Sequence, residues 1–250
     1  VVLWLEHDLS DQLQLLDVLA LAHTARSAPE LIVVGSFPGR SSFAGLGELT
    51  ASELETLWPS RAQAAPAALE AAAAAWDAFQ APEPAALASL ATRDNDELPF
   101  LGHALRRLLE ELPAPVDGLS GTERRALRVI AAGARTPPAA FVAAQRLEEA
   151  PFIGDTWFYR ALSALGQGER RLLETDAGTP LPSPPPLGDS ALFARLQLRL
   201  TAAGERTLRG ESDRVDLVGI DRWIGGTHVT PESAWRWDAA KRALVRPSPR

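Results

Sequence analysis

The chain begins with an uninterrupted apolar run, Val1-Val2-Leu3-Trp4-Leu5, that stops at Glu6-His7-Asp8 and gives way to a helical pattern. A short all-apolar run fits a strand buried on both faces, and its polar end falls where open α/β sheets keep their ligand crevice. Ser10 or Asp11 can cap the following helix. Leu13, Leu16 and Leu19, with Leu15 and Val18, form a broad apolar stripe running to about Ala25. Ser27-Ala28-Pro29 breaks it, and Leu31-Ile32-Val33-Val34 repeats the strand pattern up to Gly35. This spacing predicts a βαβ unit with parallel strands, bringing Glu6-His7-Asp8 and the loop Gly35-Ser36-Phe37-Pro38-Gly39-Arg40 to one sheet edge. Two strands are too few to stand alone and the chain has no methionine, so a further N-terminal segment is expected.

From Thr50 the pattern turns helical. Thr50-Ala51-Ser52-Glu53 reads as a capping box, Pro59 ends a short helix, and Pro66 opens an Ala-rich helix carrying Trp76 and Phe79. Further helices are predicted near 85–92 and from Pro99 to Leu112. Leu112-Pro113-Ala114-Pro115-Val116-Asp117-Gly118 is the best linker candidate. Three helices follow, over 122–132, from Pro137/Pro138 to about Leu147, and over 157–165. Two strands, 171–174 and 193–200, flank a Pro-rich loop, Thr179–Pro186, and lead into Leu200-Thr201-Ala202-Ala203-Gly204 and another helix. This order resembles a winged helix-turn-helix, and Leu-Thr-x-x-Gly resembles the post-wing signature of many bacterial regulators. In the tail, Trp223, Trp235 and Trp237 beside Gly225-Gly226 predict a short hairpin.

Composition narrows the class. At 250 residues, 46% apolar and 23% charged, the chain is globular, and no apolar run reaches the ~20 residues of a membrane span. Zero cysteines exclude disulfides, thiolate metal sites and Cys nucleophiles; a cytoplasmic protein with no membrane partner is the expectation. One lysine against 24 arginines, with much alanine, points to a GC-rich genome, so the Ala71–Ala75 run is read as coding bias on a helix. The net charge of −7 is uneven: residues 1–118 hold 17 acids and 6 bases, residues 119–210 hold 9 and 12. That argues against nucleic acid at the first half and permits it further on.

Several motifs together carry a family resemblance. They are Leu3-Trp4-Leu5-Glu6-His7-Asp8-Leu9-x-Asp11-Gln12-Leu13-Gln14-Leu15, Phe43-x-Gly45-Leu46-Gly47, Gly118-Leu119-Ser120-x-Thr122-Glu123-Arg124, Ile153-Gly154-Asp155 and Gly219-Ile220-Asp221-Arg222-Trp223-Ile224-Gly225-Gly226. The chain resembles, along its length, a bacterial family whose N-terminal region is the domain of unknown function 1835. The resemblance implies a further N-terminal segment with a Gly-Asp-rich strand end, and it assigns no activity.

Glu6, His7, Asp8 and Asp11 place three carboxylates and an imidazole within six positions at a strand-to-helix junction. Glu6, His7 and Asp8 are the candidate catalytic set, as acid/base groups with a carboxylate orienting the imidazole. They also suit part of a Mg, Mn or Zn site completed from elsewhere, although no metal site or cofactor is assigned. The plain alternative is that Asp8 and Asp11 cap the helix, Glu6 pairs with an arginine and His7 bonds to backbone. Asp11, Gln12, Gly35, Ser36, Phe37, Gly39 and Arg40 are the candidate ligand contacts. Gly35-x-x-x-Gly39 and Gly45-x-Gly47 lack the Lys-Ser/Thr of a P-loop and read better as turns, and Ser36 lacks a nucleophile elbow. On the winged-helix stretch, Arg160, Arg170 and Arg171 are the candidate DNA or partner contacts, while Trp157, Phe158 and Tyr159 read as core or protein contact. Asp221, Arg222 and His228 either join the N-terminal crevice or form a structural ion pair; His23 and His103 read as ordinary helix residues.

The expected architecture is a partial, parallel Rossmann-like α/β domain over 1–48 and a helical bridge packed on it over 49–118. A winged-helix α+β domain over 119–210 and a Trp-rich hairpin over 211–250 complete it. The leading expectation is a regulatory or binding protein: a crevice for a small polar ligand and a winged helix contacting DNA or protein, with room for a homodimer. The competing one is a hydrolase or transferase on a phosphate- or nucleotide-like substrate using Glu6, His7 and Asp8.

Overall fold

The structure, a computed structural model, describes all residues except 41–42, 186, 234 and 247–250. It is a mixed α/β protein of two compact units. The first comprises Val1–Leu108 with Ala150–Phe152 and Gly225–Thr227; the second comprises Leu109–Glu149, Ile153–Ile224 and His228–Arg250. Among the described residues no helix is long and apolar enough to cross a membrane.

In the first unit β1 (Val2–Glu6), α1 (Leu9–Thr24) and β2 (Glu30–Val34) form the expected βαβ unit. The strands run parallel with Leu3 opposite Leu31 and Leu5 opposite Val33. After α2 (Ala51–Leu57), a two-residue strand β3 (Ala62–Gln63) pairs antiparallel with β2, giving a mixed sheet in the order β1-β2-β3. The sequence pattern gives no hint of β3, which is too short to show periodicity. Nor is β1 buried on both faces: all five of its residues are half-buried, as befits a strand paired on one side within this sheet. The sheet packs through Ile32 and Val34 against Phe43 and Leu49, with Trp4, Phe37 and Leu54 around them.

α3 (Pro66–Gln80) lies along α1. Leu15, Leu16 and Leu19 on α1 and Ala68, Ala72 and Ala75 on α3 are all buried. Alanines at this spacing make one smooth helix stripe, which lets a neighbouring helix come close and receive leucine side chains. The alanine run is therefore a packing surface as well as a product of composition. α4 (Ala85–Ala91) and α5 (Leu101–Leu109) follow.

The second unit is built on α6 (Gly121–Ala131), α7 (Pro137–Gln145) and α8 (Asp155–Leu165). An antiparallel pair, β4 (Leu173–Thr175) and β5 (Leu198–Leu200), joins them with Leu173 opposite Leu200. Leu127, Ile130, Phe158, Leu162, Leu172 and Leu198 share one core. The second strand is shorter than its apolar pattern suggests. Asp189 caps a short helix, α9 (Ser190–Ala194), which takes Phe193 out of the strand and seats its ring 5.3 Å from Tyr159. Position 186, the end of the Pro-rich loop, lies outside the described residues. Thr201 caps α10 (Ala202–Leu208) directly after β5, and α11 (Arg214–Val218) follows. The tail holds two strand pairs rather than one, β6 (Arg222–Ile224) with β7 (Thr227–Val229) and β8 (Arg236–Asp238) with β9 (Ala243–Val245).

One buried carboxylate ties the second unit together. Ser120 and Glu123 form the expected capping box, the Ser120 N–H donating to Glu123 Oε2 at 2.9 Å. The other oxygen, Oε1, receives Arg222 at 2.6 Å and Arg214 at 3.2 Å. Arg214 also donates to the Gly219 carbonyl. Burial pushes the Glu123 pKa up, but the two guanidiniums and the Ser120 N–H outweigh it and hold the carboxyl below the ordinary glutamate value. The sign follows: this stabilisation is complete above the ordinary value and is lost as pH falls through the lowered one. Glu123→Gln keeps the cap and strands the buried Arg214 and the half-buried Arg222, so we predict a loss of about 3 kcal/mol in urea unfolding at pH 7. The difference from wild type should shrink at acid pH; a difference independent of pH would argue against the charge as its origin.

Candidate functional site

β1 ends at Glu6 and α1 begins after Asp8, so the polar cluster occupies the C-terminal end of a parallel strand. Each carboxylate is held by backbone. The Leu46 N–H donates to Glu6 Oε1 at 2.6 Å, and the Glu6 N–H donates to Asp11 Oδ2 at 2.6 Å. Asp8 is the N-cap of α1, accepting from the Ser10 and Asp11 N–H groups at 2.7 and 3.2 Å. Gln12, buried, donates its amide to the Glu6 carbonyl at 2.7 Å. Asp8 is thus the cap, and not Ser10 or Asp11, which lie inside the first turn of α1; Asp11 instead accepts from the Glu6 backbone, and Glu6 meets an amide instead of an arginine.

These bonds bring one oxygen each of Glu6, Asp8 and Asp11 within 4.8 Å of one another, the spacing of carboxylates able to share a metal ion. Burial raises the Glu6 carboxyl above its ordinary value; the Leu46 N–H opposes this, and Asp11, Asp8 and Glu48 add to it. Asp8 is raised too, first by burial and then by Asp11, against the N–H groups it caps.

His7 stands apart from these acids. Its ring stacks on Phe43 at 6.4 Å and meets the edge of Phe100 at 5.8 Å. Its Nδ1 is buried and, among the described residues, has no hydrogen-bond partner, so neither Glu6 nor Asp8 orients the imidazole through that nitrogen. Phe100, 93 positions away, carries no local signal in the sequence and is invisible to motif reading.

The Gly35–Arg40 loop is mostly occupied with packing. A Cβ on Gly35 would come within 2.6 Å of the Phe100 ring and 3.3 Å of His7 Cβ. Phe37 packs on the sheet core, and Arg40 reaches Glu53 at 3.1 Å and the Glu48 carbonyl at 3.0 Å. Ser36 and Gly39 are exposed, Gly39 in a turn at φ +81°. The second loop closes on the cluster instead. Gly45 sits at φ 151°, ψ 172°, a region open essentially to glycine, and a Cβ there would run into the Glu6 carboxylate. Gly45-Leu46 is the partner of Glu6 that sequence reasoning missed; its motif was visible but its role as a backbone donor was not.

On the second unit Trp157 is 64% exposed, with the Arg160 guanidinium 5.0 Å from its ring centroid. Phe158 beside it is core. Arg170 is exposed, whereas Arg171 is taken by Glu174 at 3.1 Å and the Gly178 carbonyl at 2.8 Å. Asp221 and His228 pair with each other at 2.7 Å, and Arg222 is bound to Glu123, so these three form ion pairs within the second unit.

The raised carboxyls give a pH prediction. An acid whose folded pKa is raised contributes stability that is present at low pH and lost as pH rises through the raised value. Asp8→Asn preserves an N-cap side chain and removes one of three crowded charges. Its thermal midpoint should exceed that of wild type at pH 8 and converge with it near pH 4; a lower midpoint at pH 8 would mean that charge crowding at Asp8 is not a net cost. Comparison with protein families, with curated proteins and with solved structures gives no match.

Proposed function

We propose that the chain is a cytoplasmic regulatory or binding protein of the family that carries the domain of unknown function 1835. In this reading the first unit is Rossmann-like and the second is a winged helix that contacts a protein partner through α8. The observation that carries it is the Trp157–Arg160 stack, a large apolar ring and a guanidinium displayed together on the outer face of the third helix. Tryptophan and arginine are the residues most concentrated at binding hot spots, and a stacked guanidinium is already ordered for contact. Protein is favoured over DNA because Arg171 is spent on Glu174 and α8 begins with the exposed acid Asp155. A phosphate backbone calls for a surplus of available cations.

The polar ligand of this reading would sit at Glu6, Asp8 and Asp11. Three carboxylates favour a cationic or hydroxyl-bearing group and oppose a phosphate, and Arg40 is engaged by Glu53. That weighs against the phosphoryl hydrolase or transferase alternative, as does the absence of a carboxylate on His7 Nδ1.

Affinity capture from cell extract with the full chain, Trp157→Ala and Arg170→Ala tests the assignment. A protein retained by wild type and Arg170→Ala but lost by Trp157→Ala is the expected result. Fluorescence anisotropy with duplex DNA at ~50 mM salt, where nonspecific contacts are strong, is expected to show no binding. Binding there that Arg160→Ala and Arg170→Ala weaken would reassign the face to DNA.

A further inference from the structure

A cavity of ≈ 510 Å³ opens in the second unit between α6, the 112–119 segment and β8. Its volume falls within the range of small-molecule sites, about 300–1,000 Å³. Part of the lining is apolar and only partly covered: Val116 is 62% exposed and Leu147 50%, and the buried Trp237 lines it too. The lining also carries Arg124, Arg125 and Arg128 from one flank of α6.

The charges on that wall are not equivalent. Arg124 is held by Asp117 at 2.8 Å, and Arg125 by Glu110 at 3.0 Å and Glu148 at 3.3 Å. The remaining lining acid, Asp238, pairs with Lys241 at 2.9 Å. Arg128 is exposed and, among the described residues, has no acid partner, so its guanidinium is the one on this lining not already engaged by a carboxylate. The segment that brings Trp237 to the lining is held by bonds of its own. The Trp237 N–H donates to the Pro113 carbonyl at 3.1 Å, while Arg236 bridges the Ala114 carbonyl at 2.9 Å and Asp213 at 2.7 Å. A preformed pocket with apolar walls and one available guanidinium selects an apolar body bearing a single anionic group.

We infer that this cavity binds a small amphipathic monoanion, its acid group on Arg128 and its apolar body against Val116, Leu147 and Trp237. The site is independent of the α8 face and of the acidic cluster on β1.

The probe is 1-anilinonaphthalene-8-sulfonate, titrated into the full chain by fluorescence and then displaced with octanoate or octanol. Saturable binding at one site per chain is expected, with octanoate displacing the probe at concentrations at least about tenfold lower than octanol. Arg128→Gln should weaken probe and octanoate by about tenfold or more, with the thermal midpoint unchanged, while Arg170→Gln binds like wild type. Leu147→Trp, which fills the apolar side from an exposed position, should abolish saturable binding with Arg128 still in place. No saturable site, equal displacement by octanol and octanoate, or wild-type affinity in either Arg128→Gln or Leu147→Trp would overturn the inference.

Discussion

The second unit depends on a single ionised carboxylate out of contact with water. Glu123 closes the N-terminus of α6 with one oxygen and gathers Arg214 and Arg222 with the other. A buried charge of this kind is stable only while its partners stay in place, so the segment around α11 and β6 is fixed in position by electrostatics as much as by packing. Smaller pairs repeat the arrangement beside it. Asp117 receives Arg124 and the Leu119 N–H, and Asp213 caps α11 while receiving Arg236. Gly118 at φ +68° leaves room for Asp213, where any side chain would collide with its carboxylate. The motif 118–124 therefore supplies Glu123 and Arg124 to an ion-pair network in which the partners of Glu123 lie about ninety residues further on.

The first unit shows the same relation between motifs. Glu6-His7-Asp8 and Phe43-x-Gly45-Leu46-Gly47 are far apart in the chain, yet Leu46 donates to Glu6, Gly45 yields space to it, and Phe43 stacks on His7. Each of the groups first read as chemistry thus has a structural partner. What remains after those partners are counted is the mutual proximity of three carboxylates, two of them raised above their ordinary ionisation range. Crowding of like charges costs stability, and its persistence at a strand end is the part of this site that capping alone does not require.

Local signals were legible where one short stretch decides the outcome. The βαβ unit and the capping boxes at Thr50 and Ser120 follow from residues within a few positions of one another, and the cap of α1 falls on Asp8, two positions before the Ser10 that the pattern offers. The misses share the opposite property. β3 is two residues long, Phe193 enters a helix because Asp189 caps it and Tyr159 receives its ring, and His7 is flanked by a phenylalanine 93 positions away. Long-range pairings leave no periodicity, and a catalytic-looking cluster of types does not reveal which of its members touch. The three adjacent aromatics at 157–159 show this within a single helix turn: Phe158 is core, and Trp157 faces outward.

The span of the Glu123–Arg222 bond, 99 residues, also sets an order of events during synthesis. At ribosomal rates of about 5–20 residues per second, α6 is complete about 5 to 20 s before its charge partner exists. During that interval the three-helix core can assemble from local contacts, but its carboxylate has either to stay hydrated or to be protonated. Closure of this site is then a neutralisation, in which the arriving guanidinium allows the carboxylate to dry.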